Sequence, residues 1–467
     1  MDEEINKLKI PKGWGDSVQS VSVPPEKAKN TIVLMSKFSP VPYAKYLMKN
    51  YKFLFDNFKR FWRYDTEQGI WKEDGEMFIR NQLRIKLMGE EQQKKNYADE
   101  VVNYIKDVCW TEENVSNPPE NIIAFENCLF DIDTETILDF SSDYFITNKI
   151  PVVIDSQYNE CPKIDQFFED CVGRDKKNVL FELMAYCMLR SYPYQKFFIL
   201  YGKGCNGKSV FLNLIRKFLG SANVSNETPQ NLVTNKFSRG NLWNKLANIG
   251  SDIPYVSLSN TNIIKELTGE DYGSCERKFK EAFPFKNYAK LIWSANELPQ
   301  VNDKTYAFYR RVYIVGFGNM IKDPDPNILN KITNGEELSG LGWTLIKKIR
   351  ELKGKNFVFT WNPDAKEMEQ MYEDLSNPLN RFLREHCKES NGGKLLKYEF
   401  RDRFIAWLRE NGFRIWSEKE VGAVMKERYH EGRKVVEENV VNDQGQLENQ
   451  IRHYRCWEGL DWIEPTK

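Results

Sequence analysis

The sequence predicts an α/β protein built around a parallel sheet, with a mixed α+β region before the sheet and a compact unit after it. From 196 to about 317, apolar runs of strand length alternate with stretches of helical periodicity, which is the pattern of a parallel sheet covered by helices. The apolar run Phe197–Leu200 leads into a glycine-rich loop and then into the helical stretch Val210–Leu219. This order predicts a strand, a loop and a helix in direct succession.

Composition limits the classes of protein. The chain has 467 residues, so we expect two to four domains. Lys+Arg and Asp+Glu both number 67, so any contact with nucleic acid must come from local patches. Nine cysteines without a C-x-x-C pair, and three histidines, all in the last quarter, argue against a zinc site or a disulfide framework and favour a reducing compartment. No run approaches the roughly 20 apolar residues of a membrane span, and the start MDEEINKLKI lacks the apolar core of a signal peptide. We therefore expect a soluble, cytoplasmic protein that does not contact membranes.

The chain is predicted to have five parts. These are an N-terminal arm of unassigned role (1–50), a mixed α+β region (51–165), the sheet domain (166–350), a connector (351–375) and a C-terminal domain (376–467). No internal repeat or low-complexity run is present.

The spacing G-x-x-x-x-G-K-S, from Gly202 to Ser209, predicts a phosphate-binding loop. Its glycines allow successive backbone N–H groups to point at phosphate oxygens, and the following helix adds the positive end of its dipole. We expect an exposed Lys208 to reach the β- and γ-phosphates and the Ser209 hydroxyl to ligate Mg²⁺. A turn that merely contains Gly and Lys is the alternative, and the strand-to-helix context disfavours it. The predicted cofactors are ATP and Mg²⁺, and the predicted ATP-binding residues are Gly202, Lys203, Gly204, Cys205, Asn206, Gly207, Lys208, Ser209 and Val210.

Two polar residues follow later apolar runs. "LANIGSD" ends at Asp252, which is predicted to hold Mg²⁺ or its water, and "AKLIWSAN" ends at Asn296, which is predicted to orient the attacking water. Taken alone, Asn296 is about as typical of a turn or cap. Asp252 is flanked by Ser251 and Ile253 rather than by a second acid, so the catalytic base stays open. The candidates are Asp252 itself, acting through metal-bound water, and Glu270, Asp271 and Glu297.

The succession "LYGKGCNGKS", "LANIGSD", "LTGEDYGSCERKFKEAFPFKNYAKLIWSANELP" and "AFYRRVYIVGF" resembles the superfamily 3 helicase domain of phage and plasmid primase–helicase proteins and their poxvirus relatives. Upstream, "IIAFENCLFDIDTETILDFSSDYFITNKIPV" is similar to the region that these proteins carry just before the ATPase. The C-terminal block is similar to the family's winged-helix end, so the resemblance covers about 51–467.

The resemblance implies an AAA+-like P-loop ATPase that forms a homohexameric ring, encircles one DNA strand and unwinds duplex DNA by hydrolysing ATP during viral or plasmid replication. Single-stranded and forked DNA, further copies of the chain, and a primase or polymerase are the implied partners. Because the nucleotide lies between subunits in such rings, a second subunit must supply positive charge to the transferring phosphoryl group. Arg310 and Arg311 in "YRRVYIV" match the family's arginine-finger position; the alternative is an ordinary salt bridge at the rim.

The segment Glu276–Lys286 corresponds to the family's hairpin in the central channel. Its cations alternate with Phe279, Phe283 and Phe285, and in such a hairpin ammonium groups contact phosphates while a ring stacks on a base or sugar. A solvated surface is the usual interpretation of a charge run without this context. The predicted DNA-binding residues are Arg277, Lys278, Phe279, Lys280 and Lys286.

The C-terminal domain is predicted to contain a helix ending at Gly412 and a second helix that begins with a capping box formed by Ser417 and Glu420. Two β-like segments follow, "RKVVEENVV" and "IRHYRCWEGLDW", which gives the order of a winged helix. A protein-docking role is as plausible as a DNA-binding one. The residues that could contact phosphates are Lys426, Arg428, Arg433 and Lys434.

Parts of the sequence are compatible with three functions other than that of a helicase. Asp131 and Asp133 have the D-x-D spacing of a two-metal polymerase site, but an Asp-rich turn explains this spacing equally well. A priming site would also need a histidine near the nucleotide, and the three histidines of this chain lie far downstream. We therefore disfavour primase activity. A small-molecule kinase is disfavoured because the sequence shows no lid-like arginine segment. The main alternative is a P-loop NTPase that loads or remodels a replication complex without processive unwinding.

Overall fold

The computed structural model describes residues 38–89, 93–112, 119–202, 204, 206–250, 253, 261–278, 281–299, 301, 303–321, 323–411, 413–441 and 447–463. These residues form two compact units. The first unit contains the described residues up to 253, together with those of 261–296 and 305–363. The C-terminal unit contains the described residues of 297–304 and those from 364 onwards.

The N-terminal part of the first unit consists of short helices and two small antiparallel sheets. In chain order it contains α1 (Val41–Asn50), β1 (Phe53–Phe55), β2 (Phe61–Asp65), β3 (Ile70–Lys72), α2 (Gly75–Gln82), a π-helical turn (Leu83–Leu87), α3 (Lys95–Val108), β4 (Ile122–Ala124), β5 (Leu129–Asp131) and β6 (Thr136–Leu138). One sheet has the order β1–β2–β3 and the other β4–β5–β6.

Helix α1 corrects the predicted extent of the N-terminal arm. Its residues Tyr43, Ala44 and Leu47 are buried and belong to the same apolar cluster as side chains of α3. Residues 41–50 are therefore part of the first unit, because an apolar helical face at this spacing is buried against a neighbouring helix. The remainder of the predicted arm, 1–37, lies outside the described residues.

The turn between β5 and β6 contains the two aspartates of the D-x-D pattern. The Asp131 carboxylate accepts hydrogen bonds from the backbone N–H groups of Asp133 and Thr134 and from the side-chain amide of Asn121. Asp133 forms an ion pair with Lys353. This is the arrangement of an ordinary turn in which an aspartate bonds to the backbone two residues on.

The remainder of the first unit contains the large sheet. Its elements are α4 (Pro162–Val172), α5 (Lys177–Cys187), β7 (Phe197–Tyr201), α6 (Lys208–Leu219), β8 (Val224–Ser225), α7 (Pro229–Thr234), α8 (Lys236–Gly240), β9 (Ala247–Gly250), α9 (Asn262–Thr268), β10 (Tyr272–Cys275), β11 (Phe283–Lys286), β12 (Lys290–Ala295), α10 (Tyr306–Tyr309), β13 (Val312–Gly316), α11 (Ile328–Ile332) and α12 (Gly335–Gly354). Five strands form a parallel sheet in the order β13–β7–β12–β9–β8, while β10 and β11 form a separate antiparallel hairpin. The predicted α/β class with a parallel sheet is confirmed.

Burial on both faces explains why β7 and β12 consist mostly of apolar residues. Every residue of β12 is buried, and so is every residue of β7 except Tyr201. Side chains of α4, α5, α6 and α12 belong to the same apolar core as these strands. A parallel strand covered on both faces has a near-continuous apolar run rather than an alternating one, which is the pattern of "FFILY" and, apart from Lys290 and Ser294, of "KLIWSA".

The register of the sheet defines two opposite edges. At the carboxyl edge Tyr201 pairs with Ala295 and with Gly316, and at the amino edge Phe197 pairs with Val312. A strand rises about 3.3 Å per residue, so about 20 Å separates the residues just outside the two ends of β7. Residues that follow β7 and β12 are therefore neighbours, whereas those that precede β13 lie at the other edge.

The C-terminal unit combines helices with a three-stranded antiparallel sheet. Its elements are α13 (Ala365–Ser376), α14 (Pro378–His386), β14 (Cys387–Leu396), α15 (Lys397–Glu410), α16 (Glu418–Lys426), β15 (Glu431–Val441) and β16 (Leu447–Trp462), and the sheet order is β14–β16–β15. The two predicted helices and two predicted strands are present, and the capping box of Ser417 and Glu420 is confirmed. Strand β14 was not expected from the sequence.

The predicted connector 351–375 is mostly helical. Helix α12 extends to Gly354 and α13 begins at Ala365, while Phe359 between them is buried in the core of the first unit. Helical periodicity on both sides and one large apolar anchor explain why this segment is ordered. None of the helices in the described residues is both long and apolar enough to cross a membrane.

Candidate nucleotide site and basic hairpin

The loop between β7 and α6 requires glycine at two positions. Gly207 has φ of +83°, in the left-handed region that disfavours other residues, and a Cβ there would lie 2.3 Å from Sγ of Cys171. A Cβ at Gly202 would lie 2.3 Å from Nδ2 of Asn206 and 2.5 Å from the carbonyl oxygen of Phe317. The loop is therefore packed tightly against its surroundings at both ends, and a side chain at either glycine would alter its path.

The start of α6 is open to an anion. No described side chain caps the helix, which begins directly after Gly207. The first N–H groups of such a helix have no partner within the helix and carry the positive end of its dipole. Ser209 is exposed in this first turn and Val210 is half-buried. Of the other predicted loop residues, Gly204 is exposed, and Lys203 and Cys205 lie outside the described residues.

Lys208 is buried rather than exposed as expected, with 6% of its surface accessible. Its ammonium donates to the carbonyl of Gly202, to Oδ1 of Asn206 at 3.2 Å and to Oδ1 of Asn296 at 3.3 Å. The physical reason is that the loop curls around the amine and offers it oxygen acceptors. Among the predicted catalytic residues, the structure therefore brings Lys208 and Asn296 together.

Asn296 reaches this position because β12 is the direct neighbour of β7. The N–H of Gly202 donates to the carbonyl of Ala295 at 3.2 Å, so the loop is attached to the end of β12. Asn296 is exposed immediately beyond that end. Glu297, one of the candidate bases, belongs to the C-terminal unit and forms an ion pair there with Arg414 at 3.3 Å.

Asp252, the predicted magnesium ligand, lies outside the described residues. The nearest described residues on either side, Gly250 and Ile253, are both beside β12. Gly250 ends β9, which pairs with β12, and the N–H of Ile253 donates to the carbonyl of Ser294 at 2.9 Å. Within the part of the chain that the structure describes, no group of three or more His, Cys, Asp and Glu side chains could hold a metal ion. The magnesium role of Ser209 and Asp252 stays a prediction.

The candidate bases Glu270 and Asp271 lie at the amino edge of the sheet. Glu270 accepts a hydrogen bond from the N–H of Tyr192 at 2.9 Å, and the charge of Asp271 acts on Arg311. Tyr192 and Arg311 precede β7 and β13, so both carboxylates are far from Lys208 of the same chain. This position removes them as bases for the nucleotide bound by their own loop.

Arg310 and Arg311 also lie at the amino edge, just before Val312. Arg310 is half-buried and donates to the side-chain oxygen of Gln195 at 2.9 Å. Arg311 is buried and donates to the carbonyl of Ala307 at 2.7 Å, and burial lowers its pKa, with a smaller contribution from Arg310. Arg310 is the better placed of the two to reach outwards, whereas the buried side chain of Arg311 has the surroundings of a residue that stabilises the fold.

Lys196 is a cation at this edge that sequence reasoning missed. It is 7% exposed, and burial, assisted by the charge of Arg310, lowers its pKa to about 8. The only signal in the sequence is a single lysine directly before the apolar run of β7. Lys196 and Arg310 are therefore close enough at this edge for their charges to interact.

The predicted hairpin is present, with Cys275 opposite Phe283 at the end next to the turn. Phe283 and Phe285 are 3% and 2% exposed and pack against Trp243. These two rings are core residues and cannot stack on a base or sugar. Phe279 and Lys280 are outside the described residues.

The three described cations of the hairpin differ in their surroundings. Arg277 donates to both carboxylate oxygens of Glu73, at 2.8 and 3.1 Å. Lys286 lies 3.3 Å from the carboxylate of Glu270. Lys278 is exposed in the turn and is the described cation best placed to contact a phosphate.

The predicted phosphate-contacting cations of the C-terminal unit are all at its surface. The exposed residues are Lys426, Arg428, Arg433 and Lys434. Lys426 lies 3.5 Å from Glu431, and Lys434 donates to the carbonyl of Lys394 at 3.1 Å. Their exposure fits either a DNA-binding or a protein-docking surface.

Two family descriptions match parts of the chain. "D5 N terminal like" matches residues 44–173, and "Family of unknown function (DUF5906)" matches residues 200–311. A "Putative helicase" of Acanthamoeba polyphaga mimivirus is 26% identical over 239 residues, which cover 47% of this chain and 24% of that protein. A "Putative helicase" of Invertebrate iridescent virus 6 is 22% identical over 348 residues, which cover 62% of this chain and 34% of that protein. The resemblance to the phage and viral primase–helicase type is confirmed.

The chain therefore matches only about a quarter to a third of the length of these two viral proteins. The D5 N terminal like match begins within α1 and extends through α4, and the second match spans the segment from the end of β7 to Arg311. The apo structure of the NrS-1 C terminal region has a TM-score of 0.45 at 14% identity, with 84% of this chain and 86% of that chain covered.

Proposed function

We propose that the chain is the motor part of an ATP-driven replicative DNA helicase. The observation that carries this proposal is the division of functional groups between two edges of one sheet. Lys208 and Asn296 meet at the carboxyl edge, within 3.3 Å of each other. Arg310 lies at the amino edge, about 20 Å away along the strands. Its charge can assist phosphoryl transfer only if the amino edge of one copy meets the carboxyl edge of another.

The loop residues fit a nucleoside triphosphate. Gly202 and Gly207 bring the backbone close enough to surround phosphate oxygens, and the uncapped start of α6 offers N–H donors to them. Lys208 would exchange its protein oxygens for those of the β- and γ-phosphates, while Asn296 would orient the attacking water. Ser209 and Asp252 would hold Mg²⁺, which would neutralise charge on the phosphoryl group that ATP transfers. We propose that Asp252 accepts the proton of the attacking water, either directly or through a metal-bound water.

Head-to-tail contact between the two edges generates a ring or a filament. We infer a closed homohexamer, as the superfamily 3 resemblance implies, in which Arg310 acts on the neighbour's nucleotide. Arg311 is the second candidate, but its buried hydrogen bond to Ala307 favours a supporting role. Such a ring also explains why two cations, Lys196 and Arg310, are kept close together at one edge.

DNA is proposed to contact the turn of the β10–β11 hairpin, through Lys278 and Lys280, with Phe279 supplying a ring for stacking. The C-terminal unit has the element order of a winged helix from α14 onwards, namely helix, strand, helix, helix, strand, strand, and we propose that fold for it. Replication inside a host cell, with a primase or polymerase as partner, is the biological setting that the viral relatives suggest.

Strand displacement on a forked duplex with ATP tests the proposal. Unwinding supports a helicase. ATP hydrolysis without displacement of either strand would refute it and favour an NTPase that loads or remodels a replication complex.

A further inference from the structure

The turn of the β10–β11 hairpin is bound to the N-terminal part of the chain at two points. On one side, the guanidinium of Arg277 donates to both carboxylate oxygens of Glu73. On the other side, the ammonium of Lys59 lies 2.6 Å from the carboxylate of Glu281. Glu73 follows β3 and Lys59 lies between β1 and β2, so both partners come from the β1–β3 sheet.

Aromatic packing joins the same two elements beneath the turn. The ring of Phe283, at the start of β11, lies 4.7 Å from the guanidinium of Arg60 and 5.9 Å from the ring of Phe58. Trp243 contacts the same ring at 4.8 Å. Arg60 is itself held by a buried ion pair with Asp56 at 2.7 Å. The hairpin and the β1–β3 sheet therefore share one packed surface.

The pair of Glu73 and Arg277 is suited to fixing a position. Their side chains are only 19% and 22% exposed, and two parallel N–H donors of a planar guanidinium define both distance and rotation. An isolated two-stranded hairpin is marginally stable in water. The hairpin has four residues in each strand, so it needs an external support to keep its turn in one place.

We propose that the β1–β3 sheet supports the hairpin and that Glu73 is a positioning residue, which holds the turn carrying Lys278 where it can bind a DNA strand. This inference rests on the proposed DNA-translocating function. It gives the D5 N terminal like region a part in the motor, because a force on the turn passes through Arg277 and Phe283 into that region. Glu73 itself does not contact DNA or nucleotide.

The test compares Glu73→Gln with Glu67→Gln. Glu67 lies exposed in the β2–β3 turn of the same sheet, so the control loses the same charge away from the hairpin. For Glu73→Gln we expect faster amide hydrogen exchange in residues 272–286 and an unchanged ATPase rate without DNA. The DNA concentration that gives half-maximal ATPase stimulation should rise by about fivefold or more, the lower range of coupling between linked sites. Lys59→Gln, which breaks the exposed pair, should change both quantities less and in the same direction.

A charge exchange provides the rescue. Arg277→Glu alone should impair DNA stimulation, and Glu73→Arg combined with Arg277→Glu should restore it to within about twofold of the native chain, because the ion pair forms in reverse. Failure of the exchange to restore stimulation would overturn the positioning role, since Arg277 would then act on DNA directly. The positioning role would also be overturned if amide exchange in residues 272–286 were equally fast in Glu73→Gln and Glu67→Gln. It would be overturned as well if exchange were faster in Glu73→Gln but the DNA concentration for half-maximal ATPase stimulation were unchanged.

The hydrogen-exchange and ATPase measurements separate this inference from the proposed function. The hydrogen-exchange arm needs neither ATP nor DNA, so it tests the support of the hairpin alone. A native chain whose ATPase does not respond to DNA would refute the proposed function, whatever the exchange result.

Discussion

Arg310 is predicted to act on the nucleotide of a neighbouring copy, and a mixture of two inactive variants tests this directly. Lys208→Ala lacks the loop ammonium but keeps its own Arg310. Arg310→Ala keeps the loop but deprives its neighbour of the finger. Each variant alone should lose on the order of 10³-fold or more in turnover per site, the usual effect of removing an arginine finger or its equivalent charge.

The magnitude expected of the mixture follows from the edge geometry. An Arg310→Ala subunit next to a Lys208→Ala subunit forms one complete site, because loop and finger come from different copies. In an equal mixture with random assembly, about one site in four is complete, because half of the subunits supply an intact loop and half of their neighbours supply Arg310. If the sites act independently, turnover should recover to about a quarter of the native rate, and if they act in sequence it should recover to less. Steady-state ATP hydrolysis over a series of mixing ratios measures this.

The control is a mixture of Lys208→Ala with a chain carrying both substitutions, which contains no intact loop and should stay inactive. Lys208 is buried, so the thermal midpoint of each variant must be compared with that of the native chain. No recovery in the first mixture, with both variants folded and assembled, would refute an intersubunit finger. An active Arg310→Ala chain would refute any finger role for this residue.

Three further predictions concern the hairpin, the core and the pH dependence of stability. Lys278→Ala should weaken binding of a labelled single strand and lower the slope of log affinity against log salt by about 0.7, the value for one phosphate contact; an unchanged slope in fluorescence anisotropy would contradict this. Glu182→Ala should lower the free energy of unfolding by about 1–3 kcal/mol, because its buried carboxylate accepts from the N–H and hydroxyl of Thr360; urea unfolding with an unchanged midpoint would refute it. Burial lowers the pKa of Lys290 to about 7 and raises that of Cys187 to about 12. From these two groups, stability should therefore rise from about pH 7 to 9, because the unfolded lysine still holds a proton that the folded lysine has lost, with a slope of about 1.4 kcal/mol per pH unit. Between about pH 9 and 10.5 the unfolded thiol has lost a proton that the folded thiol keeps, so the two slopes cancel, and above about pH 10.5 stability should fall. Lys290→Met should flatten the rise, and a slope equal to the native one would contradict the assignment.

Local patterns in the sequence predicted those helices and strands whose formation depends on residues within the element itself. Continuous apolar runs identified β7 and β12, because strands buried on both faces need them. The capping box of Ser417 and Glu420 identified the start of α16. A position for Asn296 near the phosphate loop was also predicted, since both follow apolar runs of strand length in one parallel sheet.

Long-range partners could not be predicted in the same way. Glu73 and Arg277 are separated by 204 residues, and no local pattern relates them, so Arg277 was assigned to DNA. Phe283 and Phe285 alternate with cations as a stacking surface would, yet they are buried under Trp243, which is more than 30 residues upstream. The edge on which Arg310 lies depends on the sheet order, which the sequence alone leaves open.

Strand displacement by the native chain and two loop variants tests the central claim most directly. The substrate is a forked duplex with one labelled strand, and the chains are the native one, Lys208→Ala and Ser209→Ala. Ser209 is exposed, so its variant should fold even if removal of the buried lysine disturbs the loop. We predict that the native chain releases the labelled strand only when ATP and Mg²⁺ are present, and that both variants bind the fork without releasing it. Release by either variant at the native rate, or ATP hydrolysis by the native chain without release, would contradict a helicase driven by this site.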